Sequence, residues 1–297
     1  MRISNNVQAL KAYRNLSANQ LNVKTTMDKL SSGQKINRGA DDAAGLAISE
    51  KMRTRLQSLD KAEQNVLDGI SMVQTLEGGM SETHSLLQRM RELAVQAGSG
   101  TLAPEDRDSI QSEINQLTSE VTRIAETTQF NGKNILTGDF NETTAGLFIQ
   151  TNAGANEGIT ISVEDMRAFA LKISTTTQPS ADSKKLTSQS DAAVPEYALS
   201  LLTSEGASQA LSLYTQAIDS VSAQRAKLGA IQNRFEATNS VLTISRENLT
   251  ASESRIRDTD MAREMMEYAK YNILNQSGMA MIAQANALPQ GVLQLLN

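Results

Sequence analysis

Cysteine and tryptophan are absent from the 297 residues, histidine occurs once, proline four times, and aromatic residues make up only 3%. Without cysteine there is no disulfide framework, no thiol nucleophile and no thiolate-bound zinc, haem or iron–sulfur centre. One histidine excludes a multi-histidine metal site and the H-E-x-x-H protease motif. The scarcity of large rings argues against a single compact globule, whose core leans on them for buried area. A membrane-spanning run is missing too. Residues 271–297 carry no charge, but Asn272, Asn275, Gln276, Gln284, Asn286, Gln290, Gln294 and Pro289 make the stretch too polar for hydrocarbon. The first residues lack the apolar core of a secretory signal. Neither charge sign dominates: 28 basic against 33 acidic residues give −5, which points away from nucleic acid. No cofactor is expected.

What is present is apolar spacing of threes and fours. Ala9, Tyr13, Leu16, Gln20, Val23, Met27 and Leu30 form a heptad seam that Ser31-Ser32-Gly33 interrupts. Asp41 or Asp42 is placed to cap the next helix. That helix carries the longest seam: Ile48, Met52, Arg55, Leu59, Ala62, Val66, Gly69, Val73, Leu76, Met80, Thr83, Leu87, Met90, Ala94 and Ala97. Such a rod is roughly 75–80 Å long and needs other long helices beside it. Pro104 opens a third helix with Ile110, Ile114, Leu117, Val121 and Ile124 on its seam. Leu211, Tyr214, Ile218, Val221, Leu228, Phe235, Leu242, Leu249 and Ile256 trace a fourth. Its alternate positions Arg225, Gln232, Asn239, Arg246 and Glu253 are polar, so it packs on one side or meets a neighbouring molecule. A last helix over 258–287 gathers Ala262, Met266, Ala269, Ile273, Ala280, Ala283 and Ala287 on one face.

The middle differs. Asn131-Gly132 signals a turn, and 147–150 and 159–163 read as strands of a hairpin across the glycine-bearing 152–158. Residues 174–190, about half Ser or Thr, read as an exposed excursion. The fold expected is mainly α: a long antiparallel, coiled-coil-like helical bundle with a small β-hairpin region and paired N- and C-terminal helices. His84 reads as a solvated helix residue, and the methionines as core filling. The sequon Asn141-Glu142-Thr143 is short enough to arise by chance.

Several motifs resemble bacterial flagellin. They are Lys29-Leu30-Ser31-Ser32-Gly33, Ile36-Asn37-Arg38, Asp41-Asp42-Ala43-Ala44-Gly45-Leu46-Ala47-Ile48-Ser49, and Gln88-Arg89-Met90-Arg91-Glu92-Leu93-Ala94-Val95-Gln96. Gln129-Phe130-Asn131-Gly132, Gln224-Arg225-Ala226-Lys227-Leu228-Gly229-Ala230, Glu253-Ser254-Arg255-Ile256-Arg257-Asp258, Asp260-Met261-Ala262 and 283–296 continue the likeness in order. It covers residues 1–170 and 207–297, as in a short member with a reduced central region. The chain ends in Asn297, where flagellins often carry Arg or Lys.

The resemblance implies a non-enzymatic subunit that self-assembles into the flagellar filament for swimming. It is exported unfolded through the flagellar type III gate with a chaperone, and polymerises beneath a cap protein and beyond hook–filament junction proteins. The alternative is a junction protein of the same family. Residues 1–42 plus 258–297 would be filament-core helices, packing through Leu10, Leu16, Val23, Met27, Ile273, Val292, Leu293, Leu295 and Leu296. The shell domain would be 43–173 plus 207–257, with 174–206 a short variable surface segment. Recognition by the animal Toll-like receptor for flagellin would fall to Arg89, Leu93, Gln96, Ile110, Gln111 and Glu113. Neither nucleic acid nor membrane is an expected partner. Segments 1–40 and 258–297 are expected to be disordered in the monomer and to order on assembly.

Overall fold

A computed structural model describes residues 6–141, 146–175 and 197–295, with side chains through Ala287 in the last helix. Among these, α1 is Val7–Ser32, α2 Ala43–Ala97 and α3 Pro104–Thr127. Three two-stranded antiparallel pairs follow: β1 Gln129–Phe130 with β2 Lys133–Asn134, β3 Leu147–Gln150 with β4 Gly158–Ile161, and β5 Ser174–Thr175 with β6 Tyr197–Ala198. Helices α4 Ser204–Arg257 and α5 Met261–Leu295 complete the chain. It divides into one unit of Met1–Gln57 with Ser245–Asn297, and a second of Ser58–Ile244.

The second unit holds most of the core. The α2 seam is buried from Leu59 through Leu76, Met80, Leu87 and Met90 to Ala97 as its spacing predicts. Ile110, Ile114 and Val121 of α3 and Tyr214, Val221, Leu228, Phe235 and Leu242 of α4 face it. On α4 Ala217 is buried where Ile218 was the expected seam residue, and Gln224 is buried next to the polar alternate position Arg225. The small Ala217 and the amide of Gln224, whose Nε2 donates to the Ser162 carbonyl at 2.8 Å, admit the chain after β4. Gly69 sits in the α2 seam because a Cβ there would lie 2.9 Å from Ile149 Cδ1 and 3.1 Å from Phe235 Cζ. The expected hairpin is β3–β4, registered Leu147↔Ile161 and Ile149↔Ile159, with both β4 isoleucines buried. Asn131 and Gly132 take φ of 48° and 74°, the left-handed pair that joins β1 to β2.

Tyr214 is fully buried and its hydroxyl has no hydrogen-bond partner, so burial pushes its ionisation far up. Tyr214→Phe removes an unsatisfied donor at constant shape. It should raise unfolding free energy by about 1 kcal/mol in urea denaturation with an unchanged slope; a loss of stability would show that the hydroxyl is satisfied in solution.

Three expectations need correction here. Residues 176–190 of the Ser/Thr-rich stretch lie outside the described residues, but Ser174, at its start, is buried in β5; beyond the stretch, Leu201 is fully buried after β6. The anchor is Gln111 of α3, which donates to the Leu199 carbonyl at 3.0 Å and accepts from the Leu201 amide at 2.7 Å. His84 is half-buried and shares a 2.9 Å hydrogen bond with Gln88 rather than standing in solvent. Methionine fills the core only in part: Met72, Met80, Met90 and Met166 are buried, whereas six others are exposed in the first unit.

In that first unit α1 and α5 pair antiparallel. Asn6 Nδ2 donates to the Ala285 carbonyl at 2.7 Å at one end, and Lys29 stands 4.0 Å from Glu264 at the other. The pairing stripe of α1 is Ala9, Ala12, Leu16, Asn19, Val23, Thr26 and Leu30. Half the expected seam is therefore right, but Tyr13, Gln20 and Met27 are exposed and Ala12, Asn19 and Thr26 take their places. On α5 the stripe is Glu264, Tyr268, Tyr271, Asn275, Gly278, Ile282 and Ala285. Small residues let the helices approach closely; a Cβ on Gly278 would lie 3.2 Å from Leu16 Cδ1. The apolar face expected over 258–287 points the other way: Ala262, Met266, Ala269, Ile273, Ala280, Ala283 and Ala287 are all exposed. Ile48, at the head of the long α2 seam, is exposed as well.

Candidate interaction surfaces

The joint of the first unit is built from the two helix connectors. Helix α1 stops at Gly33, whose φ of 69° suits glycine and whose amide donates back to Lys29. The chain then lies against the α4–α5 turn: Lys35 N donates to the Arg257 carbonyl at 2.6 Å, and Thr259 N to the Gly33 carbonyl at 3.0 Å. Arg257, the last residue of α4, reaches the α1–α2 connector through Nε on Gln34 Oε1 at 3.1 Å and α2 through Nη1 on Glu50 Oε1 at 2.7 Å. Asn37 Nδ2 reaches the Asp28 carbonyl, and Arg38 pairs with the Asp28 carboxylate at 3.1 Å. Of the two aspartates only Asp42 caps α2. Asp42 accepts from Gly45 N at the start of α2, whereas Asp41 accepts from the Asn37 and Arg38 amides inside the connector. Gly45 is required because a Cβ would meet Asp42 Oδ2 at 2.5 Å and buried Ile36 at 2.7 Å.

These contacts set a pH response. Hydrogen bonds from the Arg38 and Asn37 amides hold the Asp41 carboxyl below its usual range, and the Arg257 guanidinium does the same for Glu50. A depressed folded value means the stabilisation is complete above the unfolded value and is lost as pH falls through the folded one. Amide protection across 33–42, normalised to the unfolded chain at each pH, should hold from about pH 7 to about pH 5 and decline below about pH 4. Protection unchanged to about pH 3 would contradict the geometry.

Outside the pairing stripe, the first unit exposes a large apolar surface. Val7, Leu10, Tyr13, Leu21 and Met27 of α1 are 56–63% exposed, and Ile273 of α5 is 63% exposed. Of the expected packing residues, Leu16 and Val23 face α5, while Leu10, Met27 and Ile273 face away from it. Val292, Leu293 and Leu295 lie on the α5 backbone beyond its described side chains, and Leu296 is outside the described residues.

The six residues matched to receptor recognition are divided between α2 and α3 and lie at different depths. Arg89 and Gln96 are exposed on α2 and Glu113 is half-buried on α3; Arg89 Nε donates to Glu113 Oε1 at 3.0 Å, which raises the already high Arg89 value. Leu93 and Ile110 are core residues beneath them, and Gln111 is occupied by the 199–201 backbone. Val95 of α2 is 58% exposed, one turn past Arg91. Among the described residues no group of three or more His, Cys, Asp or Glu is placed to hold a metal, and no helix is long and apolar enough to cross a membrane.

Residues 3–141 match the bacterial flagellin N-terminal helical region and residues 211–296 the bacterial flagellin C-terminal helical region. The flagellin of Bacillus subtilis (strain 168) is 48% identical, with 100% of both chains covered. A flagellar filament 30.7 kDa core protein of Treponema maltophilum is 43% identical over the same full extent. The crystal structure of Bacillus cereus flagellin, 25% identical, aligns with 64% of this chain and 94% of its own at a TM-score of 0.46. The paired terminal regions, with only 142–210 between them, define a short-form helical subunit. The chain belongs to the bacterial flagellin family.

Proposed function

We propose that the chain is the structural subunit of the bacterial flagellar filament, assembling with copies of itself outside the cell. The observation that carries this is the apolar surface that α1 and α5 leave in solvent after pairing with each other. A face of this size calls for a partner, and an open helical polymer needs such a heterologous interface. Residues 1–42 with 258–297 form the filament core in this reading, 43–173 with 207–257 the shell, and 174–206 the variable segment. In this reading the α1–α5 pair gains the rest of its burial on assembly. Export gate, chaperone, cap and junction proteins are the partners of that life cycle.

A second role, recognition by the Toll-like receptor for flagellin, rests on the family resemblance. Arg89, Gln96 and Glu113 supply its accessible groups, and Leu93, Ile110 and Gln111 hold them in place. The decisive experiment is electron microscopy of purified monomer after adding short filament seeds. Long uniform filaments are expected; soluble monomer or short stubs on competent seeds would favour a junction protein instead.

A further inference from the structure

Of the chain's twelve methionines, ten fall into two environments; Met52 is half-buried on α2 and Met1 lies outside the described residues. Met72, Met80, Met90 and Met166 of the second unit are at most 3% exposed. Met27, Met261, Met265, Met266, Met279 and Met281 are 47–67% exposed, and every one belongs to the first unit. Five of these lie on α5. At 3.6 residues per turn, Met261, Met265 and Met279 follow one flank of its outward face and Met266 and Met281 the other. The pairing stripes of α1 and α5 contain no methionine among their described residues. Thioethers are therefore concentrated where the helix pair meets solvent and absent where the helices meet each other.

We propose that these six methionines make the α1–α5 surface a reversible redox control on polymerisation, with a peroxide as the oxidant. The inference rests on the filament reading of that surface. In the step itself, a thioether sulfur attacks one oxygen of hydrogen peroxide. The O–O bond breaks, an S–O bond forms, and after proton transfer water leaves. Sulfur gives up two electrons and the peroxide takes them. In a chain without cysteine or tryptophan, exposed thioethers are the softest groups a peroxide meets. Each sulfoxide replaces a flexible apolar contact with a strong acceptor that an apolar interface leaves unpaired. The free chain is vulnerable, whereas an assembled one shields the same sulfurs by burial. Stereospecific sulfoxide reductases, drawing two electrons and two protons from a dithiol that becomes a disulfide, release the sulfoxide oxygen as water and restore the thioether and with it the surface. Neither the α1–α5 pairing nor the core of the second unit contains a sulfur that peroxide reaches, so the folded chain survives the change.

Hydrogen peroxide treatment of monomer and of preformed filaments, followed by peptide mass spectrometry and seeded elongation, tests this. In the monomer the six exposed sites should gain oxygen and the four buried ones should not; in filaments the six should be shielded. Elongation by oxidised monomer should fall about tenfold or more. It should recover after treatment with a pair of methionine sulfoxide reductases, one for each epimer. A variant with all six changed to leucine should elongate equally before and after peroxide, and if it does not fold the reductase arm decides. Fully oxidised monomer elongating at the untreated rate, or oxidation that stops growth without recovery on reduction, overturns the proposal. Untreated monomer that fails on competent seeds overturns the filament reading instead, whatever the oxidation map shows.

Discussion

A chain carrying Leu10→Ser, Tyr13→Ser and Ile273→Ser should melt like the wild type and fail to elongate filament seeds. All three side chains are more than half exposed, and none lies on the stripe that joins α1 to α5. Removing them costs the isolated molecule little, because surface changes away from packed features stay within about 0.5 kcal/mol. In a polymer each would be buried against a neighbouring copy, at about 2 kcal/mol per large apolar side chain. Three together come to about 6 kcal/mol, which corresponds to about a 10⁴-fold higher monomer concentration for growth. Circular-dichroism melts and sedimentation of polymer measure the two halves separately. Wild-type elongation by the triple variant would show that this face stays wet in the polymer; a large drop in Tm would show that it packs within the chain.

The largest stability effect is expected at Phe235, whose fully buried ring lies against Gly69 of α2 and beside Ile149 of β3. Phe235→Ala should lower unfolding free energy by about 3–5 kcal/mol, measured by urea denaturation. Its coupling with Gly69 gives a sharper test. In the wild type Gly69→Ala is unfavourable, because the new methyl would crowd the Phe235 ring and Ile149 Cδ1. Once the ring is gone, Ile149 can move into the vacated space. The same substitution should then stabilise by up to about 1 kcal/mol through helix propensity and partial refilling. A double-mutant cycle without this reversal of sign would show that the ring does not require the glycine.

Sequence spacing located the elements well and the orientation of the terminal ones poorly, for one physical reason. On α2 and α4 a single stripe is apolar, so the period alone points inward, and Leu76, Leu87, Leu228 and Phe235 are where it predicts. On α1 and α5 apolar residues occupy adjacent stripes, and a pair of helices covers only one. Size argued for Tyr13 and Met27, but close approach selected Ala12 and Thr26, with Gly278 opposite Leu16. The same ambiguity turned the alanine-rich face of α5 outward. Depth is equally invisible to position matching: Leu93 and Ile110 lie within the motif-bearing helices yet are core residues. The Arg257 clamp escaped notice because its partners Gln34 and Glu50 are distant in sequence. The motif 253–258 includes Arg257, but the motifs near the start of the chain stop short of both Gln34 and Glu50.

The joint between the connectors has a consequence for the order of folding. Arg257 grips Gln34 across a separation of 223 residues. Closing a free loop of that length costs about 5 kcal/mol of chain entropy, more than a few hydrogen bonds return. Docking Phe235 onto Gly69 removes most of that cost in advance, since the intervening chain is then already folded. The clamp is therefore a late event, and pairing of the outermost helices comes later still. The chain matures from its middle outward, and the ends that emerge last are the ones with the most left to bury.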